Sequence, residues 1–254
     1  PAAPVVPEQG MRIGITMKQG AQTTGNQATP VRRFDLGFSN RPEWTALVVP
    51  KDSPIKSIKD LKGKKVAATK GTDPFLFLLR SLHAEGLKKS DIEHVALQHA
   101  DGRAALEQGK VDAWAGLDPL MAASEVEAGS KLIYRNVAYN TYGFLNVTEK
   151  FAKDHPDHVK KVIVAYEKAR KWIIANPDET ARIISEEAKL SLPVAKLQLT
   201  RNDFKNSVPG EEHVKALKSA GSILIEEELV KKGTDVNKVI DELIEPSFAK
   251  AVVR

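Results

Sequence analysis

KKVAATKGTDPFLFLLRSLHAEGL (64–87), followed by HVALQHADGRAALEQGKVDAWAGLDPLMAASEVEA (94–128), is the stretch around which the chain is organised. Three short apolar runs, Val66–Thr69, Val95–Gln98 and Ala113–Leu117, each lead within a few residues to an aspartate: Asp73, Asp101 and Asp118. Aspartate is a preferred N-cap because its carboxylate accepts the orphan N–H groups of a first helical turn. Pro74 and Pro119 follow two of these acids, and proline suits the first helical position. Strands alternating with helices predict parallel βαβ units. In such sheets the strand ends and helix N-termini share one edge, where ligands bind. The spacing therefore predicts three helix starts around one crevice, each a partial positive charge with N–H donors.

Working outward, composition bounds the classes. The chain has 254 residues, 42% hydrophobic and 28% charged, as soluble globular proteins do. No apolar run reaches the ~20 residues of a membrane-spanning helix. The absence of cysteine excludes disulfides, thiol catalysis and thiolate metal sites, and is compatible with an oxidising compartment. The 38 basic and 33 acidic residues leave a net charge of +5. The lysines are scattered among acids and lack interleaved aromatics, which argues against nucleic acid as a partner. The mild positive field suits capture of small anions.

Before the central stretch, residues 1–10 read as a lead-in without periodicity, Met11–Thr16 as a short strand, Lys18–Arg33 as loop and Phe34–Phe38 as a second strand. Arg41–Pro50 reads as a strand and Lys51–Gly63 as a short helical turn. Beyond it, Lys131–Tyr134 reads as a strand and Asn140–Val147 as a crossing segment. Thr148 opens a helix that His155-Pro156 interrupts. An amphipathic helix then runs from Asp157 to Asn176, and Asp178 caps another. Leu190–Pro209 has no regular pattern; Val214–Leu229 and Val236–Ile244 read as helices.

Together, EWTALVVPKDSPI (43–55), SIKDLKGKKVAATKGTDP (57–74), AALEQGKVDAWAG (104–116) and TYGFLNV (141–147) resemble the periplasmic solute-binding proteins of ABC importers. The nitrate/sulfonate/taurine-type branch is the most similar, its aliphatic-sulfonate binders above all. The resemblance implies an α/β, two-lobed, periplasmic-binding-protein-like (type II) fold, with mixed sheets flanked by helices. It implies a second lobe at 50–142, and a first lobe built from 1–49 and about 143–254. The family devotes roughly ninety residues to its N-terminal first-lobe half, where residues 1–40 stand here. The family's first helix, second strand and second helix have no counterpart, so the first lobe is expected to be incomplete, rebuilt by the C-terminal helices, or supplied by another copy.

The resemblance further implies a non-enzymatic carrier, exported to the periplasm or cell surface. It would close on a small anion (aliphatic sulfonate, taurine or nitrate) and dock on ABC permease membrane subunits. No cofactor and no metal is expected, and the oligomeric state is left open.

Ten residues are candidates for binding. Thr69, Gly71, Thr72 and Asp73 form the loop similar to the family's oxyanion-facing one: glycine permits the turn, and Thr72 sets a hydroxyl beside helix N–H donors. Its alternative is a plain strand-to-helix turn. Gly116 and Asp118 form a second loop. Asp118 either caps its helix, repels an anionic head, or pairs with an amine such as taurine's. Arg41 is placed to give a bidentate contact to an oxyanion and Trp44 an apolar wall, against an ion pair and a packed indole. Asn140 and Tyr142 lie on the returning crossover. Trp114 reads as core. His155 and His158 have metal-like spacing without the three or four converging donors that zinc needs. No nucleophile elbow, Walker loop or dinucleotide fingerprint is present. An enzyme on this fold, of dehydratase or desulfinase type with Asp73 and Asp118 as an acid/base pair, is the alternative class. A truncated scaffold impaired in binding is another.

Overall fold

The computed structural model describes residues 33–40, 43–140, 142–205, 207–231 and 233–253. Arg41 and the readings placed on residues 1–32 lie outside the described residues.

The central stretch folds as three strands, β3 (Lys65–Ala68), β4 (Glu93–Ala96) and β5 (Ala113–Leu117), each followed by a helix. The helices are α1 (Asp73–Ala84), α2 (His99–Glu107) and α3 (Leu120–Ala128). β3 pairs in parallel with both β4 and β5, as the alternation predicts. Two antiparallel strands complete the sheet: β2 (Thr45–Val49) lies between β5 and β6 (Lys131–Tyr134), giving the order β4-β3-β5-β2-β6. β2, assigned above to the first lobe, is thus hydrogen-bonded into the same sheet as the residues that follow it.

β2 shows why this sheet is central. All five of its residues are buried, and their alternation sends Leu47 and Val49 to one face and Ala46 and Val48 to the other. The first face packs on Phe75, Leu78, Leu79 and Leu82 of α1. Trp114 is 1% exposed and packs on the second face with Ala105, Leu106 and Met121, so its reading as core is correct. Burying each such side chain contributes about 1.5–3 kcal/mol, which makes the five-stranded layer the stable platform of the molecule.

A second, two-stranded sheet joins β1 (Arg33–Asn40) and β7 (Gly143–Thr148) antiparallel. Two strands alone are marginal in water. Helices α4 (Glu149–Asp154) and α5 (Pro156–Ala175) cover β7 through Leu145, Ala152, Val159 and Ile163, with Phe248 from α11 (Ser247–Val252). The Thr148 hydroxyl accepts the Phe151 N–H at 3.1 Å as the N-cap of α4, and His155-Pro156 separates α4 from α5 as read.

Elsewhere the structure corrects the reading. Asp178 is not the cap of α6 (Pro177–Ala188). Asn176 is the flanking residue, and the Asp178 carboxylate accepts from Lys196 Nζ at 2.8 Å. The segment read as irregular contains α7 (Leu192–Thr200), whose Pro193 sits in the first turn, where no N–H is needed. Val214–Leu229 is two helices, α8 (Glu211–Lys218) and α9 (Gly221–Glu226). α10 (Val236–Leu243) follows the expected span and is capped by Asp235, which accepts the Lys238 N–H at 3.0 Å. α9 reaches back to the large sheet through Ile223 and Leu224, so the C-terminal helices join both sheets.

Candidate functional site

The carboxyl edge of β3 and β4 is tied together by side chains that end on backbone carbonyls. Gly71, at φ +79°, turns the chain after β3, and the extended backbone at Thr72 starts α1. The Thr72 hydroxyl donates to the Thr69 carbonyl at 2.6 Å, and the Thr69 hydroxyl donates to the Leu97 carbonyl at 2.7 Å. His99 Nδ1, at the start of α2, lies 3.2 Å from Thr69 Oγ1. That hydroxyl proton is committed to Leu97, so Nδ1–H is the donor. His94 Nε2 donates to the Ala68 carbonyl at 3.0 Å. Burial holds both histidines below the usual imidazole range and so favours their neutral forms.

Both threonine hydroxyls therefore spend their protons on backbone carbonyls, and neither is a donor for an anion. The donors this edge contributes are the N–H groups that an α-helix leaves without intrahelical acceptors in its first turn. Asp73 occupies the first position of α1, with Thr72 before it, and Asp101 the third of α2, with Gln98 before it. Both acids complement the helix dipole and neither is the N-cap expected above.

Asp118 does bind its helix, accepting the Ala122 N–H at 2.9 Å, but this is half its role. Arg201, just past α7, sets Nη1 3.0 and 3.2 Å from the two Asp118 oxygens and pairs through Nη2 with Glu125. The Arg201 and Asp118 side chains are 5% and 6% exposed. Burial pushes the Asp118 carboxyl above the usual range, while the guanidinium and the Ala122 N–H pull it down. The Arg201 carbonyl also accepts the Glu43 N–H at 2.8 Å, and Asp118 N–H donates to the Trp44 carbonyl at 3.0 Å. Arg201 was not anticipated. The visible signal is a lone arginine after an apolar helix, and its partner stands 83 residues earlier.

Beside this knot lies a cavity of about 430 Å³ between the β5–α3 turn, the start of β7 and helices α5–α7. Trp44 and Asp118 line it together, as do Phe144, Tyr166, Trp172 and Phe204. Trp44 lines this cavity, which does not decide between a wall for a ligand and a packed indole. Its Nε1 is covered and without a hydrogen-bond partner among the described residues.

The remaining candidates are held elsewhere. Gly116 lies inside β5, where a Cβ would stand 3.0 Å from both Val48 Cγ2 and Trp114 Cζ3, so packing explains its size. Asn140 is buried and accepts the Thr45 hydroxyl. Tyr142 stacks on the His213 ring at 4.2 Å, beside Phe144. Among the described residues, no three His, Asp or Glu converge as metal donors, and His155 and His158 stack edge on face.

His213 is fully buried. Its Nδ1 accepts the Gly210 N–H at 2.9 Å, and its Nε2 has no partner among the described residues. Burial depresses its pKa. An unfolded histidine takes up its proton near 6.5, before the folded one does. This group's stabilising contribution is therefore complete above about pH 6.5 and lost as pH falls through the folded value. His213→Asn keeps an acceptor near Gly210 and removes the titration. Urea midpoints between pH 7.5 and 5 are expected to fall less steeply in the variant than in the parent, with His94 and His99 supplying the remaining slope. Equal slopes would refute the assignment.

A mixed sheet with helix starts along one edge, a second two-stranded sheet, and C-terminal helices that pack on both define a periplasmic-binding-protein fold. The chain belongs to the NMT1/THI5-like family, whose pattern matches residues 2–180. It is 30% identical over 202 residues to an aliphatic sulfonates-binding protein of Escherichia coli (strain K12), covering 79% of this chain and 63% of the relative. It is 30% identical over 233 residues to one of Bacillus subtilis (strain 168), covering 91% and 70%. The chain thus spans less than two thirds of the first relative. The crystal structure of the periplasmic aliphatic sulphonate binding protein from Escherichia coli superposes with a TM-score of 0.75 at 27% identity, covering 85% of this chain and 70% of that one. These relatives are named as binding proteins, not enzymes.

Proposed function

We propose that this chain is the solute-binding component of an ABC importer, working outside the cytoplasmic membrane. It captures a small organic oxyanion of sulfonate type between its lobes and presents it to the permease. The lobes meet along the β3–β5 edge. The larger sheet forms one, and β1, β7 and the helices from α4 onward contribute to the other. The observation that carries this reading is the Thr69 tie to Leu97 and His99. It ties the turn that leads into α1 to the start of α2 at the carboxyl edge of β3 and β4, an arrangement suited to an oxygen-rich anion. Lys70 is exposed in the same loop and adds a positive charge. The acid/base alternative loses its second member, because both Asp118 oxygens already face a buried guanidinium.

Hinge closure would bring the second sheet onto this edge. Calorimetric titration of the chain with alkanesulfonates, nitrate and sulfate tests the proposal. Binding in the micromolar range is expected for at least one sulfonate. Thr72→Val keeps the shape and removes the bond to the Thr69 carbonyl, so it is expected to weaken binding about tenfold, while Thr72→Ser retains it. No heat with any anion, from a chain that unfolds cooperatively, overturns the proposal and favours a scaffold impaired in binding.

A further inference from the structure

Lysines that are scattered in the sequence are gathered on one helix. α5 runs for 20 residues, which is about 30 Å. Its inward face buries Val159 and Ile163 against Leu145 of β7 and Ala152 of α4. Successive helical residues turn by about 100°, which places Lys160, Lys161, Val164, Lys168, Lys171 and Trp172 within an arc of about 120° on the opposite face. All six are exposed, Val164 by 52% and Trp172 by 41%.

Acids do not neutralise this face. Asp157, in the first turn, stands 3.8 Å from Lys160 Nζ. Glu167 is turned inward and accepts two bonds of 2.7 Å from Arg170, with Lys171 Nζ 3.5 Å away. Lys161 and Lys168 have no acid partner among the described residues. The neighbouring helices differ. On α4, Lys150 pairs with Asp154 and Lys153 with Glu149; on α6, Arg182 pairs with Glu179 and Glu186.

We infer that this face of α5 is a docking surface for an anionic lipid bilayer, on which the chain rests without inserting a helix. A head-group layer supplies a dense plane of negative charge for four lysines. It also supplies an amphipathic boundary that accepts an exposed indole and the apolar stems of lysine. An acidic protein segment would satisfy the lysines and leave Val164 and Trp172 facing polar groups. The other face of α5 is spent on Leu145 and Ala152, so the helix has no apolar side to sink into the acyl region. Attachment is therefore electrostatic and reversible, and salt weakens it. A carrier held in this way stays within reach of a membrane partner, whichever solute it carries.

Co-sedimentation of the full chain with vesicles tests this. Vesicles of phosphatidylcholine with about 40% phosphatidylglycerol should carry the chain down, and vesicles of phosphatidylcholine alone should not. Raising salt from about 0.05 to 0.5 M should release it. Each lysine near an anionic surface is worth about fivefold in partitioning, so Lys161→Gln with Lys168→Gln should lower it more than tenfold. Lys62→Gln with Lys110→Gln removes the same charge from exposed positions beside the larger sheet and should change it little. Trp172 is the one exposed tryptophan among the described residues, so emission should move to shorter wavelength on anionic vesicles. Trp172→Phe should abolish that shift and keep the sedimentation. No sedimentation with anionic vesicles, equal loss from the two lysine pairs, or an unmoved emission overturns the inference. Binding of soluble polyglutamate without vesicle binding also overturns it and identifies an acidic protein as the partner. None of these outcomes bears on the sulfonate titrations, which decide the proposed function separately.

Discussion

Replacing Arg201 by methionine is expected to destabilise the folded chain by about 3–5 kcal/mol, the cost of breaking a buried ion pair from one side. Methionine keeps an unbranched apolar stem, so the loss isolates the guanidinium. The Asp118 carboxylate would keep the Ala122 N–H as its bond within the cap and lose its counter-ion, and Glu125 would lose the same partner. Burial already pushes the Asp118 carboxyl up, and removing the group that opposes this raises it further. The folded form then takes up a proton more readily than the unfolded form. The penalty is accordingly full at neutral pH and relieved as pH falls toward the raised value. Asp118→Asn in the Arg201→Met background removes the stranded charge and should recover about half of the loss or more. Urea midpoints at unchanged m measure both steps. Simple addition of the two single losses would show that the pair is not coupled. The consequence for the cavity beside Trp44 is direct: α7 docks on α3 through Val194 against Ala122 and Ala123, and Leu199 of α7 lines the cavity. An unlatched α7 would loosen the cavity wall.

The contrast between Arg201 and the central strands shows what was legible in the sequence. β3, β4 and β5 were readable because local chemistry decides them: an apolar run, a turn residue and a helix-compatible start lie within a few residues. β6, α4 and α5 were readable for the same reason. The membership of β2 was not, because sheet neighbours are chosen by the faces they bury, and Thr45–Val49 is apolar on both. α7 was hidden by near-alternation in LPVAKLQLT and by Pro193, which reads as a break until its first-turn position is seen. The site divided in the same way. The place of Trp44 beside a strand end is readable from the sequence. The threonine hydroxyls point to carbonyls rather than outward, and the Asp118 carboxylate meets an arginine 83 residues away. No spacing rule reaches either fact. The first depends on how the turns after β3 and β4 meet, the second on how the C-terminal helices fold back.

The second large effect is expected from a single methyl. Gly102 lies in α2 directly over Trp114: a Cβ there would stand 2.8 Å from Trp114 Nε1 and 2.9 Å from Cδ1. The indole cannot give way easily, since it is 1% exposed and packed among Ala46, Val48, Leu106 and Met121. Helix propensity favours Ala over Gly by about 1 kcal/mol, and overpacking opposes it by about 1–3 kcal/mol. At these distances the clash should win, and Gly102→Ala is expected to lose about 2 kcal/mol on urea unfolding. Relief would come from α2 lifting off the sheet, which draws His99 and Leu97 away from Thr69 and parts the two helix starts proposed to hold the anion. Sulfonate affinity should therefore fall together with stability. Trp114→Phe in the same chain removes the five-membered ring that meets the new methyl, so the double variant should be more stable than the sum of the single losses allows. A Gly102→Ala chain as stable as its parent would mean that α2 is not seated on Trp114, and the anion edge would lose the support that holds its two helices together.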